Sequence, residues 1–461
     1  MPATRILRFT EAQVTTLRQH LFPGDGQESV ALALCGTHVD ATRELYCVHD
    51  VIDVPMEMCT VTTSKVVRWN VAAMVPLLER AIKRGLWVLK IHSHPDGSNR
   101  FSCLDDHSDL TLAEGIEAIL DRSPCFLTAF MSSSGRIFAR IVTAACGFQP
   151  VDRVMVVGDE FSVTGADCSA FADDVDLRTR QAFGDGTSDL LRSFSVGVAG
   201  CSGTGSWVVE MLARLLVGRL VLVDPDCMER KNLNRIVNSK ACDAGCKRPK
   251  VDVMAAAIDK MGLGTIVEVH QCDLANRNVI GALAGCDFVF GCMDSADGRD
   301  LLNRIATFYV QPYIDLGVRL DADGKGGIEQ ICCALHYLIP GGSSLLSRGV
   351  ITSEQVQAQA MRRIAPEQHA ALEKEGYIKG VPVDRPAVVS VNGFIAAHAI
   401  NEMLARLHRF RRDANDGFRY QVFSLSDGAW LRLPDGPPCA LLARYVGRGD
   451  TKPLLGNPIL S

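Results

Sequence analysis

The chain has 461 residues and a formal net charge of −5, from 48 Lys and Arg against 53 Asp and Glu. Its length predicts two to four domains at about 150 residues each, and an apolar content of 47% gives each domain a normal core. No run of five like charges occurs, which excludes a general nucleic-acid binder and a polybasic membrane anchor. We therefore expect neither a nucleic-acid nor a membrane partner.

Strand-like and helical patterns alternate over the first 145 residues. Thr10 and Gln13 form a capping-box pattern before a helix that ends near Phe22. The same patterns predict further elements: helices over 70–85 and 105–122, a strand over 87–92 and a hairpin over 125–143. This block reads as one α/β domain.

The character of the chain changes over residues 150–190, which are acidic and rich in Gly, Asp and Ser. We therefore predict domains at 1–148 and 181–461, joined by a linker at 149–180. After Leu190 a strand, a glycine-rich loop, a helix and further strands follow. Such alternation predicts a doubly wound parallel sheet.

The 17 cysteines allow either a disulfide framework or reduced thiols. Their number is odd, no C-x-x-C occurs, and the N-terminus lacks an apolar signal core. Most lie in apolar runs, as Cys35 and Cys125 do, where free cysteine behaves as a small buried hydrophobe. The apolar run from Phe194 is interrupted by Glu210, so no membrane-spanning helix is expected. A cytoplasmic, reducing location follows.

A candidate metal site lies where a predicted strand meets the next helix. His92 and His94 are two residues apart at the strand end, so both imidazoles point to one side of the sheet. Asp105 can supply a third ligand, which leaves one zinc position open for water, as catalysis requires. A carboxylate must accept the proton of that water, and Ser102 could donate to an oxyanion. The alternative is a pair of solvated loop histidines.

The spacing H-S-H-x(7)-S-x(2)-D resembles the motif of the JAMM/JAB metalloproteases, found in deubiquitinases and their bacterial relatives. The resemblance covers about residues 1–145 and implies an N-terminal α/β metalloprotease domain. The two histidines and the aspartate would bind Zn²⁺, and Ser102 would assist the oxyanion. In this family a glutamate from an early strand is the general base. Glu28 occupies the matching place, and Glu44 is the alternative.

A candidate nucleotide site follows the strands of the C-terminal half. A loop with the pattern G-x-x-G-x-G, at Gly200, Gly203 and Gly205, would let the backbone approach phosphates at a helix N-terminus. Asp224 and Asp226 end the next strand, where an acidic residue can hold a ribose hydroxyl. The other candidates are side chains suited to phosphates or Mg²⁺: Asn232, Arg235, Lys250 and Asp294. A plain strand-to-helix turn is the alternative for the loop.

These motifs resemble the adenylating domain of the ThiF/MoeB and ubiquitin-activating enzyme family, from about residue 175 to 410. The resemblance implies a Rossmann-like doubly wound domain that uses ATP and Mg²⁺. Asp224 would hold the ribose and Asp294 the Mg²⁺, and the phosphates would have three ligands: Asn232, Arg235 and Lys250. Arg180 matches the family's arginine finger, which often reaches the ATP of a neighbouring subunit, so a homodimer is expected.

Cysteines that this family often uses are absent. The C-x-x-C zinc pair that follows Pro-Gly in relatives reads as Ser344 and Ser347, and Cys439 has no partner three residues on. Because serine is a poor zinc ligand, we predict no structural zinc in this half. Between Cys333 and Cys439, where relatives form a thioester, there is no cysteine. We assign no catalytic cysteine.

The two resemblances together imply a bacterial fusion enzyme that processes and activates a ubiquitin-like protein. The N-terminal half would be a zinc (iso)peptidase, and the C-terminal half would adenylate the C-terminus of the same small protein with MgATP. A conjugating enzyme is a further expected partner, within a conjugation or antiphage operon. The alternatives are sulfur-carrier adenylation in cofactor biosynthesis and a scaffold whose adenylating half no longer turns over.

Overall fold

The structure is a computed structural model that describes residues 3–165, 174–323, 325–367 and 388–460. Nine strands of the N-terminal region form one mixed sheet, and β4 (Cys59–Thr62) and β5 (Val67–Trp69) form a separate ribbon. The nine are β1 (Thr4–Thr10), β2 (Val30–Val39), β3 (Arg43–Asp53), β6 (Trp87–His94), β7 (Phe126–Ser132), β8 (Ile137–Thr143), β9 (Gly147–Pro150), β10 (Arg153–Val157) and β11 (Phe161–Thr164). Their order across the sheet is β11-β10-β1-β3-β2-β6-β7-β8-β9.

Three helices pack on this first sheet: α1 (Glu11–Leu21), α2 (Val75–Arg84) and α3 (Cys103–Leu120). The predicted capping box is confirmed, because Thr10 Oγ1 accepts the Gln13 N–H at 3.2 Å and the Gln13 side chain accepts the Thr10 N–H at 2.8 Å. Helix α2 ends at Gly85, whose φ of 67° is the left-handed conformation that glycine adopts without a steric penalty. The hairpin of β7 and β8 is also confirmed.

The remaining helices and strands belong to the C-terminal region. They are α4 (Leu177–Ser193), β12 (Ser195–Ala199), α5 (Gly203–Arg214), β13 (Arg219–Val223), α6 (Ala241–Gly245), α7 (Lys250–Met261), β14 (Ile266–His270), α8 (Arg277–Ala284), β15 (Phe288–Gly291), α9 (Ala296–Phe308), β16 (Tyr313–Ala322), β17 (Ile328–Leu338), α10 (Ser353–Ile364), α11 (Val389–Leu407), β18 (Tyr420–Ser424) and β19 (Ala429–Arg432). Over the ranges that the structure describes, no helix combines the length and apolarity needed to span a bilayer.

The second sheet has the order β14-β13-β12-β15-β16-β17-β18-β19. Its first five strands are parallel, and β17 to β19 extend it in antiparallel fashion. In chain order the parallel part reads 3-2-1-4-5, which is the doubly wound arrangement with a crevice where the strand order reverses. The Rossmann-like sheet expected for this half is therefore present, with its crevice at the carboxyl ends of β12 and β15.

The linker expected at 149–180 is corrected by the structure. Strands β10 and β11 lie inside it, and β10 pairs in parallel with β1 of the first sheet. Residues 166–173 lie outside the described residues, and α4 begins at Leu177. The apolar run of β10 is only four residues long, from Val154 to Val157, and acidic residues lie on either side of the strand. The acidic composition therefore did not predict β10, which is stabilised by its pairing with β1.

A buried ion-pair cluster joins the two halves of the chain. Asp287, immediately before β15, is fully buried and accepts hydrogen bonds from Arg43 Nη1 at 2.8 Å and from Arg8 Nη2 at 3.5 Å. Arg8 also donates to the Tyr309 carbonyl at 3.0 Å. Burial alone would raise the pKa of Asp287, but the charges of Arg43 and Arg8 outweigh it and lower the pKa. The cluster thus joins strands β1 and β3 of the first sheet to the segment that precedes β15 of the second sheet.

The C-terminal segment crosses the same junction. Gly36 N donates to the Gly447 carbonyl at 3.0 Å, and Asp450 N donates to the Thr37 carbonyl at 2.8 Å. A Cβ on Gly36 would lie 2.1 Å from the Arg448 carbonyl carbon, so only glycine permits this approach. Apolar residues of β1, β3 and β10 share one continuous core with the second sheet. The two halves are therefore one packed body.

We expect Asp287→Ala to lower the free energy of unfolding by about 3–5 kcal/mol, because two buried guanidinium groups lose their counter-charge. Urea unfolding followed by circular dichroism measures the effect. Because the pKa of Asp287 is lowered in the folded chain, its contribution is present above the ordinary carboxyl pKa and is lost as the pH falls. Asp259→Ala, at an exposed position of α7, is the control and should change stability by less than about 0.5 kcal/mol. Equal urea midpoints for both variants would contradict the expectation.

Candidate functional site

Three candidate metal ligands converge at the carboxyl end of β6. His92 and His94 end this strand, and Asp105 lies in the first turn of α3. His92 Nε2 is 3.0 Å from His94 Nε2 and 3.1 Å from Asp105 Oδ1, and His94 Nε2 is 3.8 Å from Asp105 Oδ2. Among the residues that the structure describes, these three form the group of ligand atoms close enough to share one metal ion. Two imidazoles and one carboxylate fit zinc with a position left open.

The ligand side chains are held in the protonation states that a metal requires. His94 Nδ1 lies 3.2 Å from the Ser98 carbonyl, and a hydrogen bond donated from Nδ1 leaves Nε2 free as a ligand. Burial lowers the pKa of His92 and keeps its imidazole neutral. Burial alone would raise the pKa of Asp105, but hydrogen bonds from His92 and Ser102 lower it well below the ordinary value. The lowered pKa values of His92 and Asp105 therefore favour a neutral imidazole and an ionised carboxylate in the cluster.

Glu28 lies beside this cluster. Val30 pairs with His92 in the β2–β6 ladder, and Ser93 N donates to the Ser29 carbonyl at 3.0 Å. That register places Glu28 next to His94 on the ligand side of the sheet. Burial, followed by the charges of Asp105 and Asp96, raises the pKa of Glu28 to about 7. A carboxyl group with that pKa can accept a proton near neutral pH.

The alternative base, Glu44, is a residue of β3 and lies beside the far end of β2. It pairs with Val39 across the β2–β3 ladder and forms an ion pair with Arg5 at 3.0 Å. Nine residues of strand separate Val39 from Val30, which is roughly 30 Å. Glu44 is therefore outside the metal cluster.

Ser102 is the N-cap of α3. Its Oγ donates to Asp105 Oδ2 at 2.8 Å and accepts the Asp105 N–H at 3.2 Å. The serine thus orients one ligand of the cluster and remains exposed. Because the Ser102 hydroxyl contacts the ligand Asp105 directly, it is close enough to the cluster to donate to a bound oxyanion as well.

The second candidate site is a cleft of about 520 Å³ at the carboxyl ends of β12, β13 and β15. Gly200 has a φ of 91°, and a Cβ on Gly205 would lie 1.7 Å from the Gly200 carbonyl oxygen. The loop therefore requires glycine at both places. The predicted residues that line the cleft are Gly200, Gly203, Asp224, Asp226, Asn232, Arg235, Lys250 and Asp294.

Two carboxylates and one ammonium group occupy the β13 side of the cleft. Asp224 accepts the Cys201 N–H at 2.7 Å and the Asp226 N–H at 2.9 Å. Lys250 Nζ is 2.6 Å from Asp226 Oδ2 and 3.6 Å from Asp224 Oδ1. Burial raises the pKa of Asp224 even though Lys250 favours its ionised form. The two carboxylates can accept hydrogen bonds from ribose hydroxyls, and the ammonium group can donate hydrogen bonds to phosphate oxygens.

The amide and basic side chains of the loop after β13 are fixed by local bonds. Asn232 Oδ1 accepts the Glu229 N–H at 2.9 Å, and Arg235 Nη1 donates to the Lys231 carbonyl at 2.7 Å. Asp294 follows β15 at an exposed position and also lines the cleft. Cations and a carboxylate thus line the same cleft, as a complex of phosphates with Mg²⁺ requires.

Arg180 is the one predicted charged residue of this half that does not line the cleft. It lies on α4 and forms ion pairs with three carboxylates, Asp176 at 2.9 Å, Asp189 at 3.0 Å and Asp185 at 3.2 Å. Its role as an arginine finger toward a neighbouring subunit stays a prediction.

Several cleft residues were not predicted as site residues. Arg299 lies in α9 and forms an ion pair with the buried Asp315, Nε to Oδ1 at 2.9 Å. Asp273 follows β14, so the strand-end rule that found Asp224 could have found it. Arg363 and Asn392 come from α10 and α11. No local pattern marks these two, because only tertiary packing brings their helices to the cleft.

Ser344 and Ser347, which occupy the positions of the missing cysteines, are hydrogen-bonded to each other. Ser344 N donates to Ser347 Oγ at 2.9 Å, and Ser347 N donates to Ser344 Oγ at 3.1 Å. Cys332 and Cys333 lie within β17, where burial raises the pKa of Cys333 to about 12. A thiol with that pKa is a poor nucleophile near neutral pH.

The strand order, the glycine loop and the cleft at the carboxyl edge define a doubly wound α/β protein with a candidate nucleotide site. The sequence model of the ThiF family matches residues 176–435, which is more than half of the chain. The chain belongs to the ThiF family.

Curated relatives match parts of this region. The "SAMP-activating enzyme E1" of Haloferax volcanii is 35% identical over 130 residues, which cover 28% of this chain and 47% of that protein. "Ubiquitin-like modifier-activating enzyme 5" of Arabidopsis thaliana is 30% identical over 167 residues, 33% of this chain and 37% of that protein. "Adenylyltransferase and sulfurtransferase MOCS3" of Danio rerio is 31% identical over 124 residues, 27% of each chain. The chain thus matches less than half the length of these relatives.

A crystal structure of E. coli MccB with ATP resembles 59% of this chain and 74% of its own, with a TM-score of 0.44 and 15% identity. A likeness at this level has no bearing on function.

Proposed function

We propose that the C-terminal half adenylates the C-terminal carboxylate of a ubiquitin-like protein with MgATP. The observation that supports this most is the cleft, where predicted ribose, phosphate and metal ligands from four separate segments line one cavity of about 520 Å³. The names of the relatives agree with this proposal, since they are activating enzymes and adenylyltransferases. In the reaction the carboxylate attacks the α-phosphorus, an acyl adenylate forms and pyrophosphate leaves.

Each side chain has a defined part in this proposal. Asp224 binds the ribose, Asp294 would hold Mg²⁺, and the phosphates have three ligands: Asn232, Arg235 and Lys250. The glycine loop donates backbone N–H groups to phosphate oxygens at the start of α5. Catalysis then consists of positioning and of neutralising the charge that develops on the phosphates. Arg180 would contribute from the second subunit of a homodimer.

We further propose that the N-terminal half is a zinc (iso)peptidase of the JAMM/JAB type. Its support is the convergence of His92, His94 and Asp105, whose ligand atoms lie close enough to share one metal ion. Zinc, when bound, lowers the pKa of water toward neutrality and supplies a nucleophile. Glu28 accepts the proton of that water and returns it to the leaving amine. Ser102 donates a hydrogen bond to the oxyanion of the scissile carbonyl.

Both activities fit one small protein as their common substrate. Cleavage exposes a C-terminal carboxylate, and adenylation activates a C-terminal carboxylate. The packed junction between the halves keeps both sites in one body. A conjugating enzyme would accept the activated protein in a later step.

Sulfur-carrier adenylation is the second candidate. The match to a protein named adenylyltransferase and sulfurtransferase favours it, while the serines at the cysteine positions weigh against it. Both candidates share the adenylate chemistry and differ in the protein that is activated.

Exchange of labelled pyrophosphate into ATP tests adenylation directly. The 461-residue chain with MgATP and a ubiquitin-like protein should give exchange, and the same ubiquitin-like protein with a blocked, amidated C-terminus should give none. Exchange with a sulfur carrier instead would favour the second candidate. Failure to bind MgATP at all would contradict both and favour a scaffold.

A further inference from the structure

Helix α10 forms a wall of the cleft that no sequence motif covers. Gln359 Oε1 accepts the N–H groups of Ala296 and, at 3.3 Å, of Asp297, at the start of α9. Arg363 is one turn further along α10 and lines the cleft. Positions four residues apart share one helix face, so both side chains point toward the same edge of the cleft. Helix α10 is thus fixed against the segment that follows Asp294.

Arg363 spans two walls of the cleft. Its Nε is 3.3 Å from Asp297 Oδ2, in the first turn of α9, and its Nη1 is 3.6 Å from Asp273 Oδ1, after β14. All three residues line the cleft, and 28% of the Arg363 side chain is exposed. The guanidinium group therefore lies between the segment that follows β14 and the first turn of α9.

The ion pairs of Arg363, at 3.3 and 3.6 Å, are longer than the shortest ion pairs of Lys250 and Arg299. Lys250 is 2.6 Å from Asp226, and Arg299 Nε is 2.9 Å from the buried Asp315. Long and partly solvated ion pairs contribute little stability, so exchange of partners costs little. A planar guanidinium group also matches two phosphate oxygens at once. Arg363 is therefore free to exchange a carboxylate for a phosphate.

We propose that Arg363 binds the phosphate groups of MgATP, with Asp273 and Asp297 holding it over the cleft before the nucleotide arrives. The proposal rests on the nucleotide function proposed for this cleft. It assigns α10 to the adenylating site. A purely structural tie between α10 and the sheet is the competing role, and it predicts a loss of stability with unchanged nucleotide affinity.

Calorimetric titration of the 461-residue chain with MgATP tests this role. R363A should weaken binding about tenfold, because a charge-assisted contact is lost. R363K should recover only part of that loss, because an ammonium group keeps the charge but cannot match two phosphate oxygens at once. R363Q serves as a second variant that keeps a polar side chain. R362A is the matched control, since Arg362 is an exposed neighbour on the same helix that does not line the cleft. In pyrophosphate exchange R363A should raise KM for ATP more than it lowers kcat.

The outcomes separate this inference from the function on which it rests. If the unchanged chain does not bind MgATP, the nucleotide function is wrong. If it binds MgATP and both R363A and R363Q bind equally well, the role of Arg363 is wrong. If R362A weakens binding as much as R363A, the effect belongs to the helix as a whole, and the inference is again overturned.

Discussion

His92→Ala is expected to remove zinc from the chain and to abolish cleavage, while MgATP binding stays unchanged. The unchanged chain should carry about one zinc ion, because one His-His-Asp cluster is present among the described residues. His92 Nε2 is within 3.1 Å of both other ligand groups, so its loss leaves two ligands for a site that needs three. Elemental analysis measures the zinc, and cleavage of a ubiquitin-like precursor with a C-terminal extension measures the activity.

Two further variants make this test specific. His107→Ala removes an exposed histidine of α3 that lies two residues after Asp105, and it should leave both zinc and cleavage intact. Glu28→Gln should keep the zinc but lower cleavage by about 10²–10⁴-fold, because an amide cannot accept the proton of the attacking water. Unchanged zinc content and cleavage in His92→Ala would contradict the metal assignment. Loss of zinc in Glu28→Gln would make Glu28 a ligand rather than a base.

The two candidate sites differ in how far the sequence could predict them. The metal cluster could be predicted almost completely, because His92 and His94 share a strand and the capping box of α3 carries both Ser102 and Asp105. Only Glu28 required knowledge of strand pairing. It reaches the cluster through the β2–β6 ladder, whose register the sequence does not state.

The residues of the nucleotide cleft also divide into those that local patterns predict and those that only long-range packing brings to the site. Residues at strand ends and in the glycine loop were predictable, because the carboxyl ends of parallel strands meet at one edge. Arg363 and Asn392 were not, because α10 and α11 follow the antiparallel strands and return to the cleft by packing alone. Local patterns specify what a segment forms, and long-range contacts decide what it touches.

The junction between the halves was the part of the fold least visible in the sequence. Arg8 and Arg43 lie in strands whose other residues are mostly apolar, and Asp287 is more than 240 residues away. An arginine in a strand usually faces solvent, so nothing local indicates that these two are buried. Their shared partner Asp287 explains why they can be buried. The expected linker contains strands of the first sheet because β10 pairs with β1.

Asp294→Asn is expected to lower adenylation by at least about 100-fold, while zinc content and cleavage stay unchanged. Asp294 follows β15, is exposed and lines the same cleft as Asp224 and Lys250. An amide at this place has no negative charge to hold Mg²⁺, and loss of one preorganised charge at a phosphoryl centre costs about 10²–10³ in rate. Because the side chain is exposed, the substitution should leave the fold intact. Pyrophosphate exchange with saturating ATP measures the effect.

The control is Asp259→Asn, an exposed aspartate of α7 outside the cleft, which should retain full exchange. The decrease in Asp294→Asn should be largest at low Mg²⁺ concentration and should partly recover as Mg²⁺ is raised, because the variant binds the ion more weakly. A decrease that does not change with Mg²⁺ would mean that Asp294 acts on the carboxylate substrate or on the cleft itself. Exchange equal to that of Asp259→Asn would show that the metal is held elsewhere, and the assignment of Asp294 would fall while Asp224 and Lys250 kept theirs.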